Sequence, residues 1–314
     1  MTDITYIQSI LIGLLQGVTE LFPISSLGHS VLVPAWVGGS WSQLVTQVDG
    51  DSSSHSQYLS FIVALHVATA IALIIFYRKD WVAITRAFLV TLRTRKIETS
   101  TQRLAWLIIA ATIPVGITGL TLEHTFRTLF AKPLSAAIFL TLNGFILLGG
   151  ERLRRQAEAR GTQHAKAEGT AHAAEHELEE VVYGGPDRKL ATLSFREAGL
   201  IGVFQTFALF AGISRSGITM VGGLVRGLDH EDAAKFSFLL ATPVILAAGL
   251  LKLPGLFGEA GAHIHGQIIV GSLVAGVASY FSVAFLTRYF KTSNLTPFAI
   301  YCLVAGVASI VKFH

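Results

Sequence analysis

The sequence predicts an all-α integral membrane protein with about six full transmembrane helices and two re-entrant broken-helix pairs, arranged as an inverted-topology repeat. Three observations predict it. The 314 residues are 52% hydrophobic and only 14% charged, with a mean hydropathy of +0.57, whereas a soluble domain carries about 25% charged residues. Two apolar stretches are interrupted by the same polar grammar, Gln16 to His29 and Gln205 to Thr219. An offset of 189 lays Gln16 on Gln205, Ile24 on Ile213, Ser25 on Ser214 and Gly28 on Gly217. Finally, Lys and Arg are absent from residues 1–77, while seven fall in 78–103 and eight in 151–196. That asymmetry places the latter two stretches in the cytoplasm.

Taken in order, residues 5–22 and 24–38 form the first broken pair, each half short for a span of roughly 20 residues. Residues 39–57 read as a polar loop and 58–77 as a clean span ending at Arg78-Lys79. A short amphipathic piece around Trp81–Leu92 and a basic patch of Arg93, Arg95 and Lys96 follow. Spans are expected over 104–122 and 134–150. Residues 151–193 are charged and Ala-rich without an apolar face and read as a mobile cytoplasmic loop. The second broken pair covers about 195–227, and spans follow near 234–252, 266–287 and 295–313. The positive residues fit this order if the first pair dips in from outside and the second from the cytoplasm, with Arg127 and Lys132 as minority exceptions. The whole is one polytopic domain, with repeat one at about 1–150 and repeat two at about 195–314. The single cysteine, Cys302, excludes an intrachain disulfide framework. Asp3 and the lack of a basic residue before the apolar run argue against a cleaved signal peptide. The net charge of +4 is explained by the topology and calls for no nucleic acid.

The two polar breaks carry the candidate chemistry. Ionisable groups at membrane depth are costly and usually functional. Gln16 and Glu20 share a helix face, and Pro23 then removes a backbone donor and interrupts the helix. The freed N–H groups at the start of the resuming segment suit a phosphate. Glu20 suits a general base or, with Gln16, a ligand of a divalent cation. Ser26 is the candidate nucleophile, with Ser25 as the local alternative, and His29 is a candidate proton carrier. Arg215, with its planar fork, suits a phosphate held bidentately. Ser214, Ser216 and Thr219, with Gly217 beside them, are candidate phosphate contacts. His66, flanked by apolar residues, reads as a packed polar contact, and His172 with His176 as part of a solvated linker.

At these residues the sequence resembles the undecaprenyl-diphosphate phosphatase family of the bacitracin-resistance type. One family signature stands from Gln16 to His29, and a second stands as Ala211-Gly212-Ile213-Ser214-Arg215-Ser216-Gly217, with Ala in place of Pro. Further likeness lies in Val63–His66, in Phe236–Ala241 with Pro243, and in Pro297–Tyr301. Gln16 stands where some members have a second glutamate. The resemblance implies a phosphatase of the bacterial plasma membrane that takes the terminal phosphate from a C55 polyprenyl diphosphate, recycling the cell-wall lipid carrier. It implies a divalent cation (Mg2+ or Ca2+) and a site open to the extracytoplasmic side, and it leaves room for a homodimer. The alternative from another class is an inverted-repeat carrier of a lipid phosphate or other anion. A carrier needs a cation for its anion but no pairing of nucleophile and histidine.

Overall fold

The structure, a computed structural model, describes residues 4–46, 57–130, 132–167, 190, 192–256 and 264–314. The described elements are α-helices: α1 (Tyr6–Thr19), α2 (Ser26–Val37), α3 (Ser40–Thr46), α4 (Gln57–Phe76), α5 (Arg78–Thr94), α6 (Ser100–Phe130), α7 (Pro133–Ala167), α8 (Phe195–Thr206), α9 (Arg215–Val225), α10 (His230–Leu256), α11 (His265–Tyr289) and α12 (Thr296–Phe313). A 3-10 turn, Phe207–Leu209, follows α8. Five helices, α6, α7, α10, α11 and α12, are long and apolar enough to cross a membrane. A sixth candidate is the bent pair α4 and α5, whose two helices meet at 86°.

Two readings of the sequence are corrected. The polar stretch 39–57 contains the helix Ser40–Thr46. The expected loop 151–193 begins as a continuation of α7 to Ala167; Glu, Arg, Ala and Gln are strong helix formers, so a polar run can prolong a helix that is already nucleated. His172 and His176 lie outside the described residues.

Local signals recur at the 189-residue offset. Thr5 caps α1 in a capping box with Gln8, and Ser194 caps α8 in a capping box with Glu197. In each, the cap hydroxyl satisfies an orphan N–H of the first turn and the third residue's side chain reaches back. After each break a serine caps the resuming helix: Ser25 Oγ accepts from Gly28 N at 3.2 Å, and Ser214 Oγ from Gly217 N at 3.1 Å.

Tertiary contacts exchange in the same way. α1 packs on α11 as α8 packs on α6, and the equivalent helices α4 with α10 and α7 with α12 pack on each other. Gly13 lies against the Gly271 backbone and its counterpart Gly202 against the Ala111 backbone. Small residues allow such backbone approach in a membrane, where apolar burial drives little association. Gly144 of α7 meets Ala299 and Leu303, whereas Gly306 of α12 meets Thr141. Numbers therefore rise along one helix as they fall along the other. Two equivalent helices packed antiparallel mean that the repeats run in opposite directions.

One end of the bundle collects the basic segments. Lys235 pairs with Asp80 at 3.0 Å, Lys291 with Glu231 at 3.5 Å, and Arg103 Nη2 donates to Leu193 O at 2.9 Å. There too, buried Glu151 accepts from Leu295 N at 3.0 Å and contacts His230, which also contacts Arg154. The opposite end joins Ser9 to Gln267 O at 2.9 Å and Tyr58 to Ser30 O at 2.8 Å. α1 starts at this second end and α8 at the basic one, so the two breaks are approached from opposite sides.

If Gly13 and Gly202 are equivalent close contacts, a Cβ cluster at either site overpacks a backbone. Gly13→Val and Gly202→Val should each lower stability by about 1–3 kcal/mol, read as comparable drops in the thermal unfolding midpoint of the purified protein.

Candidate active site

The two breaks meet at Glu20, which caps the C-terminus of α1 and is 8% exposed. Its two carboxylate oxygens divide the surrounding donors. Oε1 accepts from Arg215 Nη2 at 2.6 Å. Oε2 accepts from Gln16 Nε2 at 3.0 Å, lies 3.3 Å from His66 Nε2, and accepts a short hydrogen bond from Ser26 Oγ. The i, i+4 spacing brings Gln16 to Glu20, and the turn at Pro23 brings the first residue of α2 back onto the carboxylate. Arg215, the first residue of α9, arrives from the other break. Its Nη1 donates to Ala241 O at 3.0 Å, which leaves other N–H groups of its fork for an anion.

A serine hydroxyl donating to a carboxylate that is itself fixed by a guanidinium has the geometry of a nucleophile with a base in reach. His66 completes this setting. Its Nδ1 lies 2.8 Å from Ile62 O and its Nε2 faces Glu20, so each ring nitrogen faces an oxygen acceptor and a proton on Nε2 has a place to go. His66, read from sequence as a packed polar contact, is thus the histidine of the carboxylate. His29 is placed differently. Its Nδ1 donates to Ser25 O at 2.7 Å, and its Nε2 faces the Tyr301 hydroxyl at 2.8 Å, with the rings stacked at 5.7 Å. It ties α2 to α12, and its ring makes no hydrogen bond or ion pair with Glu20, Ser26 or Arg215.

The remaining hydroxyls face the seam between the breaks. Ser25 Oγ accepts from Gly212 N at 3.2 Å in addition to capping α2, and its φ of 72° is a conformation that L side chains rarely adopt. Ser216 Oγ donates to Phe22 O at 3.1 Å and lies 3.0 Å from Ser214 Oγ. Thr219 Oγ1 donates to Arg215 O at 2.7 Å and lies 2.6 Å from Ser237 Oγ. Gly217 packs against Pro23, and Gly28 against Gly212, again as equivalents. Ser25, Ser214, Ser216, Gly217 and Thr219 therefore build the junction on which the charged groups stand.

The family model described as bacitracin resistance protein BacA matches residues 9–308. The chain belongs to the BacA family. A BacA relative from Frankia alni, undecaprenyl-diphosphatase 2, is 60% identical over 100% of this chain and 99% of its own length. The undecaprenyl-diphosphatase of Mycolicibacterium paratuberculosis is 53% identical over 98% of this chain and 97% of its own. Undecaprenyl-diphosphatase 2 of Chromobacterium violaceum is 40% identical over 97% and 98% respectively.

In this BacA chain Gln16 and Glu20 do meet, but the amide presents its N–H to the carboxylate, and Arg215, His66 and Ser26 take the other directions. Among the described residues no three His, Cys, Asp or Glu side chains gather as a metal site. A hard dication wants several oxygen ligands, so the donor set as arranged does not fit a resident Mg2+ or Ca2+; the positive charge beside Glu20 is Arg215.

Sequence reasoning missed Asn143. This residue of α7 is fully buried and accepts from Ser214 N at 3.0 Å while donating to Pro23 O at 3.0 Å and to Cys302 Sγ at 3.3 Å. It clamps the residue before Arg215 to the turn between Glu20 and Ser26. The signal was there, since Asn143 is the one amide side chain in the apolar stretch 134–150. Asn143→Leu should lower turnover about tenfold to a hundredfold, the cost of a misplaced catalytic group, with KM nearly unchanged. Steady-state kinetics of phosphate release checks it; wild-type turnover would show that the clamp does not position the site.

Proposed function

We propose that this chain hydrolyses a polyprenyl diphosphate of the undecaprenyl type to the monophosphate and inorganic phosphate, recycling the lipid that carries cell-wall precursors. The observation that carries the reading is the junction of Ser26 with Glu20 on a carboxylate that also holds Arg215. The names of the BacA relatives support the substrate. The basic end of the bundle, by its Lys and Arg content, is assigned to the cytoplasm of a bacterial plasma membrane. The first break, entered from the other end, then opens to the extracytoplasmic side, with the prenyl chain kept in hydrocarbon.

In this reading the free N–H groups of Arg215 hold the terminal phosphate of the substrate. Ser26 Oγ attacks the distal phosphorus as Glu20 takes its proton. The bond to the bridging oxygen breaks, and that oxygen leaves on the prenyl monophosphate, which takes the proton from Glu20. A phosphoserine remains. Water then attacks it, giving one proton to Glu20; inorganic phosphate departs, and Ser26 regains its proton from Glu20. Arg215 neutralises charge on the transferring phosphoryl group throughout. His66 steadies the second carboxylate oxygen. The Mg2+ or Ca2+ expected from the sequence is kept in the proposal as a companion of the diphosphate, which chelates such ions with its own oxygens; the steps are carried by the chain's residues. An anion carrier would have use for Arg215 but none for a hydroxyl set on a base.

Rapid-quench experiments on the purified protein with diphosphate labelled at its terminal phosphorus test this. Label should appear on Ser26 in the wild type and vanish in Ser26→Ala. Glu20→Gln should lose at least about 100-fold in turnover, the scale of a lost acid–base group. His29→Gln, which disturbs the tie to Tyr301 and leaves the partners of the carboxylate in place, should lose only about tenfold, the scale of one net hydrogen bond. Normal phosphate release by Ser26→Ala would overturn the mechanism.

A further inference from the structure

The mechanism leaves α5 unused. This amphipathic helix follows α4 at an angle of 86°, which turns it across the end of α4. Its inner side is fixed to α6: Ile84 is buried, Phe88 packs on Trp106 at 5.3 Å, and Trp106 Nε1 donates to Thr91 Oγ1 at 2.9 Å. The one acidic residue on the helix, Asp80, pairs with Lys235. The outer side is different in kind. Arg78, Lys79, Arg86 and Arg93 are exposed there, beside Val82 at 50% and Leu89 at 57% exposure. Arg78, Lys79, Val82, Ala83 and Arg86 line a shallow pocket of about 450 Å³. Among the described residues no carboxylate pairs with Arg78, Lys79 or Arg86.

We propose that the outer face of α5 is a binding surface for the phosphate headgroups of anionic phospholipids, with Arg78, Lys79 and Arg86 holding the headgroup and Val82 and Leu89 seated in the acyl layer beneath it. Two properties select this occupant. The i, i+4, i+8 row Arg78, Val82, Arg86 alternates cation and apolar side chain, which suits an interface where stems sink and charged heads rise. The charge is of one sign and complements an anionic leaflet, where each Lys or Arg near the surface is worth about 1 kcal/mol, or roughly fivefold. The face lies at the basic end of the bundle, away from the opening assigned to the first break, so it is separate from the site that turns over substrate.

The test uses the full chain purified in detergent with equal amounts of phosphatidylglycerol and phosphatidylcholine, the bound lipids being quantified by mass spectrometry. Wild-type protein should be enriched in phosphatidylglycerol at least about fivefold over the bulk mixture, and high salt should weaken the enrichment. Arg78→Gln with Arg86→Gln should bring the ratio close to bulk while phosphate release in detergent stays at the wild-type rate. The single Arg86→Gln should give an intermediate ratio, and it carries the test if the double variant does not assemble. An equal ratio in wild type and variants would overturn the proposal. So would an enrichment that persists unchanged at high salt, because the contact would then not be one between charges.

Discussion

The contact between Glu20 and Arg215 is the interaction on which the rest depends. Each charge sits in a setting where an isolated ion is expensive, and each comes from a different helix break nearly two hundred residues apart in the chain. Removing one partner of a buried pair leaves an uncompensated charge, typically at a cost of about 3–5 kcal/mol. The breaks must therefore be held in register. Ser25, Ser214, Ser216 and Asn143 do this by joining the backbone of one break to that of the other. The same pair that requires this register also prepares the site, because a carboxylate anchored on one oxygen by Arg215 presents its other oxygen to Ser26.

The repeat explains the scaffold and the departures from it explain the chemistry. Caps, seam glycines and cap serines agree between the halves. The residues proposed to react do not. The position of Glu20 is occupied by Leu209 in the second half and that of Ser26 by Arg215. A symmetric frame thus brings a carboxylate and a hydroxyl to face a cation. The counterpart of Gln16 shows the cost of this asymmetry. Gln205 is fully buried, and neither amide atom has a hydrogen-bond partner, because a leucine stands where the first half has the carboxylate that Gln16 serves.

Much of this was legible in the sequence. The spans stood out as apolar runs, and the two breaks as polar interruptions with a shared offset, since membrane depth makes every Glu, Arg and Pro conspicuous. Gln16, Glu20, Ser26 and Arg215 were found that way and are brought together. What sequence left undecided depends on which way side chains turn. His29 and His66 are both single histidines in apolar surroundings; only packing sends the first to Tyr301 and the second to Glu20. Ser214, Ser216 and Thr219 suggested phosphate contacts by their number, yet their hydroxyls answer backbone carbonyls and each other at the seam. The helical start of 151–193 was missed because a polar run that prolongs a nucleated helix needs no apolar face.

A double-mutant cycle on the stability of the purified protein tests the central claim most directly. Glu20→Gln and Arg215→Gln each leave the partner charge unpaired, and each should destabilise by about 3–5 kcal/mol. The double variant removes both charges and should be no less stable than the worse single variant, giving a large coupling energy between residues in contact. Penalties that simply add would contradict the account, because the two breaks would then be held together without the ion pair.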